Sequence, residues 1–347
     1  MNEVSGLSKV RNTVDRKVWI TWEDHRRSRE LAEAFEAEYF PLTSRYGRLI
    51  RYGLLALRTI CLIVSMRPSV LFVQNPSIIL TALVCFLKPL HRAVVVVDRH
   101  TNYYFHTQGS REIKWRVYHR LSRWTDKAAD LVIVTNARLA KIVAMSGATY
   151  VVLPDPIPNY EPSVVRYNKK RQLRLVCVAS GASDEPIEGV INAVEKLAPD
   201  VRLLITSGGA LRRYGSLVKS ENVEFSGFLP DRLYVDTLKE ADGVIVLTTL
   251  DLTLCCGAYE AVSLHRPMIL SDFEAIKEHF QKGAVYVSAD ENSVVAGIEA
   301  LRENWGRLYD EVTEADQVMR KGWLSDFANV AHRIDKIAKE TAMGARV

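Results

Sequence analysis

The sequence predicts an α/β protein of two doubly wound domains, each built on a largely parallel sheet. Three observations predict it. Short β-branched runs alternate with helical patterns along the whole chain, the sign of parallel strands joined by crossover helices. Some runs, such as Ala93 to Val97, are apolar at every position, as a strand covered on both faces should be. The rhythm breaks once, at PDPIPNYEPSVVRYNKKRQ (154–172), which has four prolines and a charged tail. A chain of 347 residues exceeds one compact core and suits two domains. The expected division is residues 1–156, a linker 157–172, and residues 173–347.

In the first part the predicted strands are KVWITW (17–22), SVLFVQ (69–74), AVVVVD (93–98), DLVIVT (130–135) and TYVVLP (149–154). Helices are expected at 27–35, across the arginine-rich stretch near 45–64, and at 77–87, 111–128 and 137–146. Asn136 is placed to cap the last of these and Gly147 to end it. Beyond the linker the strands are LRLVCVA (173–179), VRLLIT (201–206), NVEFSG (222–227), GVIVLT (243–248), PMILS (267–271) and AVYVS (284–288). Helices are predicted at 187–197, 211–218, 233–240 and 258–264. Asp290 is a cap for a helix carrying Val294, Ile298 and Leu301 on one face. The last forty or so residues read as helices without a further strand.

Composition narrows the class. Hydrophobic residues at 48% and charged residues at 25% describe a soluble globular protein. Cys61, Cys85, Cys177, Cys255 and Cys256 show no metal-ligand spacing and sit mostly in apolar runs, so they read as reduced thiols. The first fifteen residues are polar and do not resemble a secretory signal, which leads to a cytoplasmic expectation.

Charge is unevenly shared, with +10 over residues 1–160 and −5 over 161–347. Nucleic acid is not expected as the partner, because no recognition motif accompanies the basic half. An anionic membrane surface suits it better. The apolar stretches 54–65 and 78–87 both fall short of the ~20 residues of a spanning helix. The segment RYGRLIRYGLLALRTICLIV (45–64) places Arg48, Arg51 and Arg58 beside Leu49, Leu54, Leu57 and Ile60. That is the pattern of an interfacial helix, and equally of a core helix with solvated arginines.

In open α/β sheets ligands bind beyond the carboxyl ends of the strands, so two such domains should turn their functional loops into one cleft. In the second domain these loops are Ser180-Gly181-Ala182, Ser207-Gly208-Gly209, Thr248-Thr249 with Asp251, and Cys255-Cys256-Gly257-Ala258-Tyr259-Glu260. Glycine at a loop-to-helix junction lets the backbone approach an anion, whose charge the helix dipole and free N–H groups favour. Glu260 can accept hydrogen bonds from the neighbouring hydroxyls of a ribose; equally, it is a favourable acid near a helix start. No glycine loop has the full G-x-G-x-x-G pattern of a dinucleotide site. In the first domain the strand-end residues are Glu23, Asp24 and His25, then Gln74 and Asn75, then Asp98-Arg99-His100-Thr101. Asp98 is a candidate base for an acceptor hydroxyl or a residue that orients it, or else a carboxylate capping the loop or paired with Arg99. Asp24, His25 and Asn75 are candidate acceptor contacts.

The segment GAYEAVSLHRPMILSD (257–272) resembles the G-x-x-x-x-E-A-x-A-x-G-x-P-V-I-x-S segment of retaining GT-B glycosyltransferases. VEFSGFLPDRLYVDTLKEADGVIVLTT (223–249) is similar to the run preceding it there, and the likeness covers essentially the second domain. In the first domain ADLVIVTNARLAKIV (129–143) and VVVVDRHT (94–101) match the general pattern. The resemblance implies two Rossmann-like domains facing each other across a cleft, with Glu260 on the donor ribose. It also implies that His100, followed by Thr101, faces the donor sugar. Ser180, Gly181, Gly208, Gly209, Thr249, Asp251, Gly257 and Ala258 complete the expected donor site. Two positions depart from the family. Leu252 stands where a second glutamate is usual, and SGASDEPIEG (180–189) lacks the usual arginine and lysine.

The resemblance implies a transferase that moves a sugar from a nucleotide-diphosphate-sugar with retention of configuration, without cofactor. The Gly257-Ala258 amides are expected to meet the diphosphate. No Asp-x-Asp motif closes a strand, so no metal is expected. The basic half suggests a lipid-linked or saccharide acceptor, work in cell-surface polysaccharide or glycolipid synthesis, and peripheral attachment to the inner membrane face. The alternatives are a nucleotide-sugar epimerase on the same fold and a non-catalytic two-lobed binding protein.

Overall fold

The computed structural model describes residues 16–75, 77–100, 104–164 and 167–344. The chain divides into two compact units. One runs to Val134 and takes in Ala140–Val151 and the C-terminal residues from Ala328; the other holds Thr135–Leu139 and Val152–Phe327.

The first unit is built on β1 (Lys17–Thr21), β2 (Glu38–Pro41), β3 (Val70–Asn75), β4 (Val94–Arg99), β5 (Leu131–Val134) and β6 (Tyr150–Val152). They form one sheet in the order β2-β1-β3-β4-β5-β6, parallel in register, with Val73 beside Val97 and Asp98 beside Ile133. The all-apolar run of β4 is buried along its whole length. Trp19 of β1 stacks on Phe72 of β3 at 4.9 Å, a contact worth ~0.5–1.5 kcal/mol beyond its area. Strand β2 was not legible in the sequence. It is a short, half-buried edge strand ending in proline, where neither alternation nor an apolar run is required.

Helices α1 (Arg26–Ala34), α2 (Arg48–Met66), α3 (Ile78–His91), α4 (Ile113–Ala128) and α5 (Ala137–Ala144) are the crossovers. From β2 onward the connections all advance the same way across the sheet, so right-handed crossovers put α2, α3 and α4 in one layer. Accordingly α3 packs against both α2 and α4. Asn136 caps α5 by accepting from the Leu139 N–H at 2.8 Å, and Gly147 follows with φ +77°.

Helix α2 corrects the sequence expectation. It is 19 residues long and, by length and composition, long and apolar enough to cross a membrane. It is also tied to the sheet, because Leu55, Thr59 and Ile63 are buried and the Trp22 indole donates to Thr59 Oγ1 at 3.0 Å. Leu49 and Leu57, two of its expected apolar positions, are exposed.

The second unit contains β7 (Leu173–Cys177), β8 (Val201–Ile205), β9 (Val223–Phe225), β10 (Gly243–Val246), β11 (Met268–Ser271) and β12 (Ala284–Val287). Their order is β12-β11-β10-β7-β8-β9. The connecting helices are α6 (Ile187–Lys196), α7 (Ala210–Tyr214), α8 (Asp231–Glu240), α9 (Cys256–Ser263), α10 (Glu274–His279) and α11 (Glu291–Glu303). Asp290 Oδ1 caps α11 by accepting from the Ser293 N–H at 2.9 Å. The six-residue α10 is too short to show a period. The C-terminal stretch is one 40-residue helix, α12 (Trp305–Gly344), rather than several.

Candidate functional site

In each sheet the strand order reverses once, and such a switch point opens a crevice beyond the strand ends. In the first unit it lies between β1 and β3, with β4 next to β3. Asp98, near the end of β4, is fully buried. Arg27 of α1, also buried, donates to it from Nε at 3.1 Å to each oxygen and from Nη2 to Oδ1 at 2.8 Å. His100 Nδ1 lies 3.2 Å from Asp98 Oδ2. Burial opposes ionisation of Asp98, yet the Arg27 charge and the His100 contact outweigh it and hold the carboxyl well below the usual range. An ionised Asp98 makes Nδ1 the donor of this contact, which leaves Nε2 as the ring nitrogen turned away from the carboxylate. The His25 ring stacks on His100 at 5.0 Å, so His25 packs the imidazole in place.

This geometry suits Asp98 to bracing its neighbours more than to the base role. Its carboxylate has no exposed surface, and both oxygens are engaged, by Arg27 and by His100. It does not pair with Arg99, which turns to Asp126. Asp24 is exposed, and its oxygens accept from Arg29 at 3.1 Å and from the Tyr39 hydroxyl at 3.0 Å. Asn75 closes β3. Thr101 lies outside the described residues.

In the second unit the order reverses between β7 and β10. The loops carrying Ser180-Gly181 and Thr249-Asp251 therefore flank the crevice, with the start of α9 beside them. Helix α9 begins two residues before its predicted start, so Glu260 occupies its second turn. Glu260 is nearly buried, and the Tyr234 hydroxyl of α8 donates to its Oε2. A carboxylate held this way presents a directed acceptor at the crevice.

The glycine loops are less open than their sequence suggests. The N–H groups of Ser180, Gly181 and Ala182 all donate to the Glu185 carboxylate, at 2.8, 2.7 and 3.0 Å, and the Ser180 hydroxyl adds a bond at 2.9 Å. Gly181 has φ +87°, which lets consecutive amides converge. Beyond β8, Gly208 and Gly209 are exposed, while Ser207 Oγ accepts from the Gly209 and Ala210 N–H groups at 3.3 and 3.0 Å. Gly257 and Ala258, expected at the diphosphate, are closely packed. A Cβ on Gly257 would stand 2.8 Å from Val178 Cγ1, so this glycine seats α9 on the sheet. Ala258 is buried and its N–H donates to the Cys255 carbonyl at 3.1 Å.

Asp184 braces the β10 loop. Its Oδ2 accepts from the Thr248 hydroxyl at 2.8 Å, and its carbonyl accepts from the Thr249 N–H at 2.7 Å. Asp251 is exposed at the tip, where its Oδ1 accepts from the Leu252 N–H at 2.7 Å. Sequence reasoning did not single out Arg27, Tyr234, Asp184 or Glu185. Only the fold pairs them, since Arg27 lies 71 residues from Asp98 and Tyr234 lies 26 from Glu260.

No family model and no curated protein sequence matches the chain. Solved structures do. Sucrose-phosphate synthase from Thermosynechococcus elongatus superposes with a TM-score of 0.75 at 13% identity, over 93% of this chain and 99% of that one. Anabaena HepE, solved in complex with UDP and glucose, gives 0.69 at 12% identity, over 92% and 99%. A putative UDP-N-acetylglucosamine 2-epimerase from Listeria monocytogenes gives 0.55 at 14% identity, over 86% and 82%. At such identities the likeness speaks for architecture, and the chain has the GT-B fold of two Rossmann-like units with six parallel strands each.

Proposed function

We propose that this protein is a glycosyltransferase that moves a sugar from a nucleotide-diphosphate-sugar to an acceptor, with retention and without a metal or cofactor. The observation that carries the reading is Glu260, fixed by Tyr234 at the switch point of a GT-B second unit, where a ribose would offer paired hydroxyls. HepE, a structural neighbour, was solved with UDP and with UDP-glucose, which supports a uridine nucleotide as the first ligand to try. In the transfer step the bond from anomeric carbon to phosphate oxygen breaks, the nucleoside diphosphate leaves, the acceptor hydroxyl oxygen forms the new bond to that carbon, and its proton passes to the departing diphosphate. His100 would act at this step, with Asp98 holding its ring.

The reading extends to a lipid-linked or saccharide acceptor at the inner membrane face, in cell-surface polysaccharide or glycolipid synthesis. The basic first half and the arginines of α2 support that extension. One observation favours a non-catalytic binding protein instead. Glu185 engages the amides of the Gly181 loop, so the loop as it stands offers those donors to its own carboxylate. The epimerase neighbour keeps a third reading in view. Product analysis with UDP-sugars and lipid-phosphate acceptors separates the three. Release of UDP that requires acceptor supports the transferase, a UDP-sugar epimer without acceptor supports the epimerase, and nucleotide binding without turnover supports the binding protein.

A further inference from the structure

Helices α2, α3 and α4 lie side by side on the first sheet, and their outer surface carries large apolar side chains. Leu49 and Leu57 on α2, Phe86 and Leu90 on α3, and Ile113, Val117 and Trp124 on α4 are all exposed. Single exposed apolar residues mean little, but several on each of three adjacent helices point to a contact surface.

Helix α4 adds charge to that surface. Ile113, Arg116, Val117, Arg120, Arg123, Trp124 and Lys127 recur at helical spacing and are all exposed. Its one acidic residue, Asp126, is buried against Arg99. Among the described residues, Arg111, Arg116, Arg120 and Arg123 make no ion pair. With Thr107 and Ser110 they line a concavity of about 960 Å³. His119, bonded to Thr107 at 2.8 Å, has its pKa lowered first by burial and then by the charges of Arg123 and Arg99.

We infer that this pocket binds the phosphate group of an anionic membrane lipid, while Ile113, Val117 and Trp124 enter the boundary between headgroups and acyl chains. Guanidinium groups pair with phosphate oxygens two at a time and shed water more readily than ammonium. An indole at the interface keeps its apolar body in and its N–H out. An acidic protein would answer the arginines but not the apolar residues; an anionic bilayer answers both. The inference rests on the membrane attachment proposed above and names the surface that makes it, and it stands whether or not a sugar is transferred.

The test uses the full chain and vesicles of phosphatidylcholine with or without phosphatidylglycerol. Wild type is expected to sediment with the anionic vesicles only. Arg116→Gln/Arg120→Gln/Arg123→Gln should reduce the partition coefficient about a hundredfold, from roughly a fivefold contribution per cation at such a surface. Calorimetry with inorganic pyrophosphate then separates the pocket from general attraction. With saturating UDP present to fill any donor site, wild type and Arg48→Gln/Arg51→Gln/Arg58→Gln should bind pyrophosphate, whereas the α4 variant should not. Ile113→Ser/Val117→Ser should lose vesicle binding and keep pyrophosphate. Thermal melting verifies that each surface variant is folded. Equal sedimentation of wild type and the α4 variant, equal binding to neutral vesicles, or pyrophosphate binding by the α4 variant would overturn the inference. Failure of wild type to bind UDP would remove the transferase reading and leave this one untouched.

Discussion

Arg27 reaches from the first turn of α1 to Asp98 near the end of β4 and donates three hydrogen bonds to its carboxylate. Both side chains are out of solvent, and Asp98 in turn holds His100. A buried charge that loses its partner destabilises strongly, whereas removing both charges together does much less harm. Arg27→Met alone and Asp98→Asn alone should therefore each lower stability by roughly 3–5 kcal/mol. Arg27→Met/Asp98→Asn should be clearly less destabilised than the sum of the two. Denaturant titration of all four proteins measures the coupling; strict additivity would mean that the pair acts as two independent contacts.

The same pair sets a pH dependence with a definite sign. The folded state depresses the Asp98 pKa, so its contribution is complete above the unfolded value of about 3.9. It is lost as pH falls from there through the folded value. Wild type should thus lose stability on acidification below about pH 4 more steeply than Asp98→Asn does. Melting curves taken between neutral pH and pH 2 check this, and parallel pH profiles for the two proteins would contradict it.

Glu260 and Tyr234 should matter to nucleotide binding. Glu260→Ala is expected to weaken UDP binding by ~1.5–3 kcal/mol, the range for a hydrogen bond to a charged group. Tyr234→Phe removes only the orienting bond and should weaken it by about 1 kcal/mol. Calorimetry on folded variants decides. Unchanged affinity in Glu260→Ala would place the nucleotide elsewhere.

His100→Ala should lower turnover while UDP affinity stays near that of wild type, the pattern of an interaction made mainly in the transition state. Single-turnover measurements beside calorimetry separate the two effects. A variant that turns over normally would move the chemistry to another residue.

Gly257→Ala distinguishes packing from phosphate approach. The added methyl would press on Val178 at 2.8 Å and on Val246 at 3.2 Å, so the variant should lose ~1–3 kcal/mol of stability. Full stability combined with lost nucleotide affinity would instead place the Gly257 backbone against the diphosphate.

The sequence by itself determined the two parallel sheets, because a strand covered on both faces must be apolar throughout, as Val94–Val97 and Val244–Val246 are. It also determined the caps at Asn136 and Asp290, since capping depends on a few neighbouring residues. What it left open were elements without a local signature, namely the edge strand Glu38–Pro41 and the six-residue helix Glu274–His279. Placement of Asp98, His100 and Glu260 at strand ends and helix starts was legible from periodicity. Their working states were not. Whether Asp98 is a base or a brace depends on a guanidinium 71 residues away. Whether the amides after β7 are open depends on where Glu185 turns. Whether Gly257 faces a ligand or a valine depends on how closely α9 packs. Charge pairing, amide occupancy and interhelical clearance are properties of residues distant in sequence, and only the tertiary structure brings them together.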